Sequence, residues 1–337
     1  MKYREASADA FVFESTRIRA LEKNLIGAER LERLLNAGSL DRCGALLGEF
    51  GAEVVYDAES GVMDREKTLE KRLRSAYEEV VSLTDGEDFL KLWLYPYDCN
   101  NIKACIKCNY REVSAEDLLV DFGTISLQEL KIAAERGEYG SLPAPFGEAA
   151  AEAAQALTAT SDPQTVDLIL DRACYLGMTE LARNGGVAFA RELLERKIDL
   201  TNLLICLRRL RMSDRYVRDI LPRELFLEGG TLTYEYLSDL CRGGEAYLWE
   251  RLEYSPYRKF PYRCGVRSSL GEAELVADNL FMERLRDARA VPYGAEPLLG
   301  YLLGTEYEVK NLRILLSGYS ISLPQKTVRE RMRDSYV

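Results

Sequence analysis

Cysteine has the most reactive side chain in this sequence, which contains eight cysteines and no histidine. Three of the cysteines lie close together, in the pattern Cys99-x5-Cys105-x2-Cys108. A Cys-x-x-Cys pair occurs in zinc sites and in thiol redox proteins, but a structural zinc site needs four ligands. No second cysteine pair and no histidine completes such a set in this segment. We therefore expect the free thiols of a reducing compartment, with neither a metal site nor a cofactor.

The lack of histidine also limits catalysis. The chain cannot form a Ser-His-Asp or a Cys-His site. It contains neither of the phosphate-binding loops Gly-x4-Gly-Lys-Ser/Thr and Gly-x-Gly-x-x-Gly. Carboxylates are plentiful, so an enzyme with a carboxylate site remains an alternative, but no catalytic pair stands out. We expect the protein to have no active site of its own.

A different pattern occurs three times and consists of an acid, two spacers, an asparagine and an apolar residue. On a helix, positions i and i+3 lie on one side, so each acid shares a face with its asparagine. The asparagines are 101 and 109 residues apart. The acid and asparagine positions are Asp98 and Asn101, Asp199 and Asn202, and Glu308 and Asn311.

A second pattern begins with glycine and keeps nearly the same spacing. It starts at Gly27, at Gly123-Thr124 and at Gly230-Thr231, which precede the three asparagines by 74, 79 and 81 residues. Two unrelated patterns that share one spacing indicate three copies of a unit of about 100 residues. We place an N-terminal helix and the first repeat in residues 1–115, the second repeat in residues 116–222 and the third in residues 223–337.

The hydrophobic periodicity predicts helices throughout and no convincing strand, so the expected fold class is all-α. Helices are expected over about residues 1–24, 64–83, 149–157, 272–289 and 296–317, and Asp162-Pro163 is expected to begin another. Pro96 should end one helical piece, with Asp98 capping the next helix and Asn101 at its third position. Residues 255–269 should be the least regular part of the third repeat.

Two roles are open for the repeated asparagines. A buried amide can bridge the backbone groups of a neighbouring loop, which makes each asparagine a structural residue. Alternatively, the three asparagines face a common partner. We favour the structural role, because a repeated polar residue in a repeat protein usually serves the fold. The acids and the two Gly-Thr pairs belong to the same set of candidate residues.

The net charge and the hydropathy of the chain limit the classes of partner that it can bind. A formal net charge of −10 disfavours a broad nucleic-acid surface. No apolar run reaches the roughly 18 residues of a membrane span, so we expect a soluble chain without one. Basic clusters are either solvated faces or docking surfaces for an acidic protein partner. They comprise Arg208, Arg209 and Arg211, with Arg215 and Arg218 beyond them, and Arg329, Arg331 and Arg333.

Three separated segments, in order, resemble the C subunit of bacterial and archaeal V/A-type rotary ATPases, whose eukaryotic relative is the d subunit. They are residues 16–22, the stretch from 98–103 to 121–130, and the stretch from 308–313 to 328–332. The resemblance covers nearly the full chain. Leu203-Leu204 departs from the expected Ile/Leu-Lys/Arg, and residues 255–269 match no segment of the family.

This resemblance implies a non-catalytic helical protein in which three pseudo-threefold repeats form a funnel-like socket. It implies a central-stalk protein, peripheral on the cytoplasmic face of the membrane, that links the D and F subunits of the shaft to the proteolipid ring. A protein in that position couples ATP hydrolysis or synthesis to the transport of H+ or Na+. The alternative is a helical-repeat scaffold that binds peptides or regulatory partners.

Overall fold

A computed structural model describes residues 11–84, 88–213, 220–264 and 268–337. Within these ranges the chain forms helices and loops without a strand, and an isolated antiparallel bridge joins Tyr56 to Met63. The all-α fold class is therefore confirmed. Outside the described residues lie the first part of the predicted N-terminal helix, Arg215 and Arg218 of the first basic cluster, and residues 265–267 of the segment that was expected to be irregular.

The described helices are numbered in chain order. They are α1 (Val12–Leu21), α2 (Ala28–Leu35), α3 (Leu40–Glu49), α4 (Arg65–Thr84), α5 (Asp88–Lys91), α6 (Tyr95–Tyr110), α7 (Leu127–Arg136), α8 (Phe146–Thr160), α9 (Pro163–Asn184), α10 (Ala188–Leu210), α11 (Tyr234–Gly243), α12 (Glu245–Glu253), α13 (Lys259–Cys264), α14 (Leu270–Leu285), α15 (Ala295–Ser320) and α16 (Gln325–Arg329). Short 3-10 helices lie in several of the connections between these α-helices.

These helices belong to two compact units. One unit contains α5 to α11, and the other contains α1 to α4 together with α13 to α16. The chain passes from the first to the second inside α12, after Leu248. The second unit is thus assembled from two separate stretches of sequence. The division into three repeats rests on sequence similarity and stays a prediction.

In the first unit, α9 is the helix with the most neighbours, since it packs against α5, α6, α8 and α10. It begins as the sequence predicts. Asp162 is the N-cap residue, and its carboxylate accepts a hydrogen bond from the backbone N–H of Gln164 at 2.9 Å. Pro163 follows at the first helical position, where a missing N–H costs nothing.

In the second unit, the 26-residue helix α15 has the central position. It packs against α1, α2, α3, α4, α14 and α16. A helix covered on several sides exposes little of its surface to solvent, which explains why its apolar residues do not form a single stripe. Leu298, Leu302 and Leu312, for example, are all buried to at least 99%.

One local prediction is wrong. Helix α6 begins at Tyr95 with Leu94 as its N-cap residue, so Pro96 lies within the first turn and does not end a helix. Proline is tolerated there because the first N–H groups of a helix have no intrahelical acceptor. Asp98 is therefore the fourth residue of the helix and does not cap it, and Asn101 is the seventh residue instead of the predicted third. Residues 255–269 also contain more structure than expected, since α13 occupies Lys259–Cys264.

Candidate functional site

Each asparagine of the repeated pattern lies on a long helix and is almost completely buried, with at most 3% of its surface exposed. Its side-chain NH2 donates to a backbone carbonyl, and its side-chain oxygen accepts from the N–H of the same residue. The six N···O distances lie between 2.7 and 3.0 Å. The bonded residues are Val120 for Asn101, Leu227 for Asn202 and Arg333 for Asn311. Each amide thus fixes one loop that follows its own helix.

The acid of the first copy binds the same loop a few residues further on. The carboxylate of Asp98 accepts hydrogen bonds from the backbone N–H of Thr124 at 2.9 Å and of Ile125 at 3.0 Å. The Thr124 hydroxyl donates a third at 2.7 Å. Burial raises the pKa of Asp98, although the hydrogen bonds from Thr124 and Ile125 work in the opposite direction.

The second copy repeats this arrangement. Asp199 accepts from the backbone N–H groups of Thr231 at 3.1 Å and Leu232 at 3.0 Å, and from the Thr231 hydroxyl. Asp199 is completely buried. A buried carboxylate is stable only when its lone pairs are occupied, and the Gly-Thr loop supplies the donors for them.

The glycines of the two loops allow this close approach. A Cβ atom on Gly123 would lie 2.2 Å from Oδ1 of Asp98, and a Cβ atom on Gly230 would lie 2.2 Å from Oδ1 of Asp199. Non-bonded atoms do not come so close to each other, so an alanine at either position would force the loop or the aspartate to move. Three residues after each glycine, Ser126 caps α7 and Thr233 caps α11 through its side-chain oxygen. The Gly-Thr-x-Ser/Thr sequence therefore joins the buried acid to the start of the next helix.

The third copy differs from the other two in its acid and in its loop, and we did not predict the consequence of these differences. Oε2 of Glu308 accepts from the backbone N–H of Ile26 at 2.7 Å, so its loop precedes it in the chain. This loop has Gly27-Ala28 and no threonine hydroxyl. Instead, Nε of Arg72 donates to Oε1 of Glu308 at 2.8 Å. Burial acts to lower the pKa of the Arg72 guanidinium, but the charge and hydrogen bond of Glu308, together with Tyr301, act in the opposite direction, and the net result is a raised pKa.

Arg72 is thus a member of the third site that sequence reasoning missed. Its side chain is 14% exposed and that of Glu308 is 3% exposed, so the ion pair is largely removed from water. Two features of the sequence pointed to an additional donor: the third copy has glutamate where the others have aspartate, and its loop lacks the threonine that follows glycine in the others. A longer acid whose loop has lost a donor needs another donor.

The basic residues at the end of α10 do not share one environment. The Arg211 guanidinium forms an ion pair with Glu245, with an N···O distance of 2.6 Å. Arg209 donates to the backbone carbonyl of Ile220 at 2.6 Å. Arg208 is exposed. Two of the three predicted docking residues therefore hold local structure, and a partner-docking role for the cluster stays a prediction.

In the C-terminal cluster, Arg329 pairs with Glu32 and Arg333 pairs with Asp278, at 2.8 and 3.0 Å. Arg331 is exposed.

All eight cysteines are free and buried. Burial raises the pKa of Cys105 to about 11, and it has the same effect on Cys43. Thiols of this kind are poor nucleophiles, because the reactive thiolate is hardly populated near neutral pH. Across the ranges that the structure describes, no group of three or more His, Cys, Asp or Glu side chains is placed to hold a metal ion.

The repeated motifs are part of a longer similarity to known proteins. A family model described as "ATP synthase (C/AC39) subunit" matches residues 15–331. The chain belongs to this family. The resemblance drawn from three short segments is thereby confirmed. No helix in the described parts of the chain is long and apolar enough to cross a membrane.

Individual relatives agree with the family match. The chain is 25% identical to the C subunit of the A-type ATP synthase of Methanocaldococcus jannaschii, with 95% of this chain and 85% of that protein aligned. It is 25% identical to the C subunit of the V-type sodium ATPase of Enterococcus hirae, with 95% and 97% aligned. The C subunit of the A-type ATP synthase of Haloferax volcanii is also 25% identical, with 94% and 95% aligned. The similarity therefore spans most of each chain.

The structural role that we expect for the asparagines leads to a first prediction. Asn202→Ala should lower the free energy of unfolding by about 1–3 kcal/mol, because the N–H and C=O of Leu227 lose their buried partner. Chemical denaturation of the purified chain measures the change. Asn184→Ala is a suitable control, since Asn184 is exposed and should contribute less than about 0.5 kcal/mol. If Asn202→Ala leaves stability unchanged but weakens partner binding, the asparagine belongs to an interface.

Proposed function

We propose that this protein is a non-catalytic component of the central stalk of a V/A-type rotary ATPase. In this role it is peripheral on the cytoplasmic face of the membrane and links the shaft, made of the D and F subunits, to the proteolipid ring. It passes torque between the ATP-hydrolysing head and the ring, and so couples ATP hydrolysis or synthesis to the transport of H+ or Na+.

The observation that carries this proposal is the family match from residue 15 to residue 331. The relatives named above are C subunits of both A-type ATP synthases and a V-type sodium ATPase. The repeated motifs support a mechanical role, because their buried carboxylates and amides fix loops to long helices. A part that transmits torque has to resist deformation, and satisfied buried polar networks stiffen a fold.

The test is a complex reconstituted in vesicles with and without this chain. Without it, the head should still hydrolyse ATP, while ion transport falls to the background rate. Addition of the purified chain should restore transport. The isolated chain should hydrolyse no ATP and should bind the D–F pair and, separately, the ring. A binding surface that withstands torque should bury well over about 1,000 Å².

A control variant shows that purification and reconstitution of a substituted chain do not by themselves impair transport. Gly48→Ala changes a helical glycine whose Cβ would contact nothing within 4 Å, so this variant should restore transport as well as the natural chain does. If the depleted complex transports ions at the normal ratio to ATP hydrolysed, the coupling role is wrong, and the helical-repeat scaffold becomes the better proposal.

A further inference from the structure

The segment between α12 and the end of α13 has an unusual composition for this chain. Residues 254–263 contain three tyrosines, one phenylalanine and three cations, and no carboxylate. The chain as a whole has a net charge of −10. The segment overlaps residues 255–269, which the resemblance drawn from short segments did not cover. We refer to residues 254–263 as the aromatic tip.

The aromatic tip is firmly attached to the second unit. Tyr257 and Phe260 are buried, and the Phe260 ring stacks on Trp249 with a centroid distance of 5.8 Å. The Ser255 hydroxyl donates to the carbonyl of Leu252 at 2.8 Å and accepts from the N–H of Tyr257 at 3.0 Å. These contacts fix the backbone from which the exposed side chains project.

Two side chains of the aromatic tip are not explained by folding. Tyr254 is 87% exposed and Tyr262 is 90% exposed, more than any other large apolar or aromatic side chain in the described ranges. A surface cavity of about 450 Å³ lies beside Tyr262 and is lined also by Trp249, Glu253, Arg258, Lys259 and Pro261. The tip thus presents exposed rings next to a recess whose lining carries two cations, Arg258 and Lys259, and one carboxylate, Glu253.

We propose that the aromatic tip is a docking surface for an acidic segment of another protein in the complex. Tyrosine and arginine are among the residue types most enriched in the energetically dominant contacts of protein interfaces. An exposed tyrosine on a fixed backbone has only two side-chain torsions to immobilise on binding, and the cations attract carboxylates of the partner. This inference rests on the proposed function, in which the partner belongs to the same rotary machine.

A membrane surface is the less suitable partner. Recognition of anionic lipids typically uses a cluster of about 4–8 basic residues, each contributing about 1 kcal/mol. The aromatic tip has only Arg258, Lys259 and Arg263. Lys259 and Arg263 both pair with Glu283, which cancels part of their charge. The remaining charge is too small to hold the chain on lipid, whereas a single arginine such as Arg258 can pair with one carboxylate of a protein partner.

The experiment measures binding of the full chain to a complex assembled from the other subunits, at low and at high salt. Tyr254→Ala/Tyr262→Ala should raise the Kd at least tenfold. Arg258→Glu should also raise it and should remove part of the salt dependence. Tyr293→Ala, in which a half-exposed tyrosine of the same unit is removed, is the matched control and should bind like the natural chain. Unchanged helical circular dichroism and melting show that each variant is folded.

Each remaining outcome decides against the proposal. Equal binding by the double tyrosine variant and the natural chain overturns the docking role of the tip and leaves the proposed function intact. If the natural chain does not bind the complex at all, the proposed function fails, and this inference fails with it. Vesicles of phosphatidylcholine with phosphatidylserine test the other partner, and tyrosine-dependent binding to them would make the tip a membrane contact.

Discussion

Replacement of Glu308 by alanine should be among the most damaging single changes in the protein, at a cost of about 3–5 kcal/mol in unfolding free energy. The change leaves the guanidinium of Arg72 largely buried without its carboxylate, and it removes the acceptor of the Ile26 N–H. An unpaired buried charge is costly because water no longer solvates it. Chemical denaturation of the purified variant measures the loss.

Two further variants identify the cause. Glu308→Gln keeps an acceptor for Ile26 but removes the charge, so it should be less damaging than Glu308→Ala. Glu49→Ala breaks the ion pair with Arg33, in which both side chains are more than half exposed, and should cost less than about 1 kcal/mol. If Glu308→Ala is as mild as Glu49→Ala, the buried ion pair does not hold the third copy together.

Gly230→Ala should cost about 3–6 kcal/mol, since a crowded core site and hydrogen bonds to a charged group are both affected. The new Cβ would lie 2.2 Å from Oδ1 of Asp199 and 2.9 Å from Cγ2 of Ile198. Either the Gly-Thr loop or the aspartate has to move, and the donors of Thr231 and Leu232 then lose their acceptor. Thermal and chemical denaturation both measure this change.

The control for this prediction is Gly48→Ala. It adds the same methyl group inside α3, where nothing lies within 4 Å, and should stabilise the protein by about 0.5–1 kcal/mol. A double variant tests the mechanism directly. Once Asp199→Ala has removed the carboxylate, Gly230→Ala should cost far less than it does alone. Full additivity of the two changes would mean that the glycine and the aspartate act independently.

The sequence was most informative where the reasoning depended on local spacing. The three-residue spacing of Asp98 and Asn101 places both side chains on one helix face. In the structure both side chains form hydrogen bonds with the loop that contains Val120 and Thr124. The predicted start of a helix agreed with the structure where the sequence contains a capping residue, as at Asp162. The error at Pro96 arose because proline both breaks helices and occupies their first turn, and spacing alone does not separate these cases.

The residues that the sequence did not reveal depend on the path of the chain through space. Arg72 is one of several arginines and lysines on α4, and no local pattern distinguishes it. Its importance comes from Glu308, which is 236 residues away. Tyr254 and Tyr262 were equally ambiguous, because a tyrosine near proline is typical of a loop, and its exposure is known only from the structure.

The closure of the third copy through Ile26 has a consequence for synthesis on the ribosome. Asp98 meets its loop 26 residues later, but Ile26 has to wait for Glu308, which is 282 residues later. At about 5–20 residues per second, that interval lasts roughly 15–60 s. The helices of the first unit have all been made by residue 243, whereas the loop at Ile26 leaves the ribosome first and finds its acceptor among the last. A chain whose translation stops between residues 248 and 308 therefore carries a completed first unit and an N-terminal segment without its carboxylate.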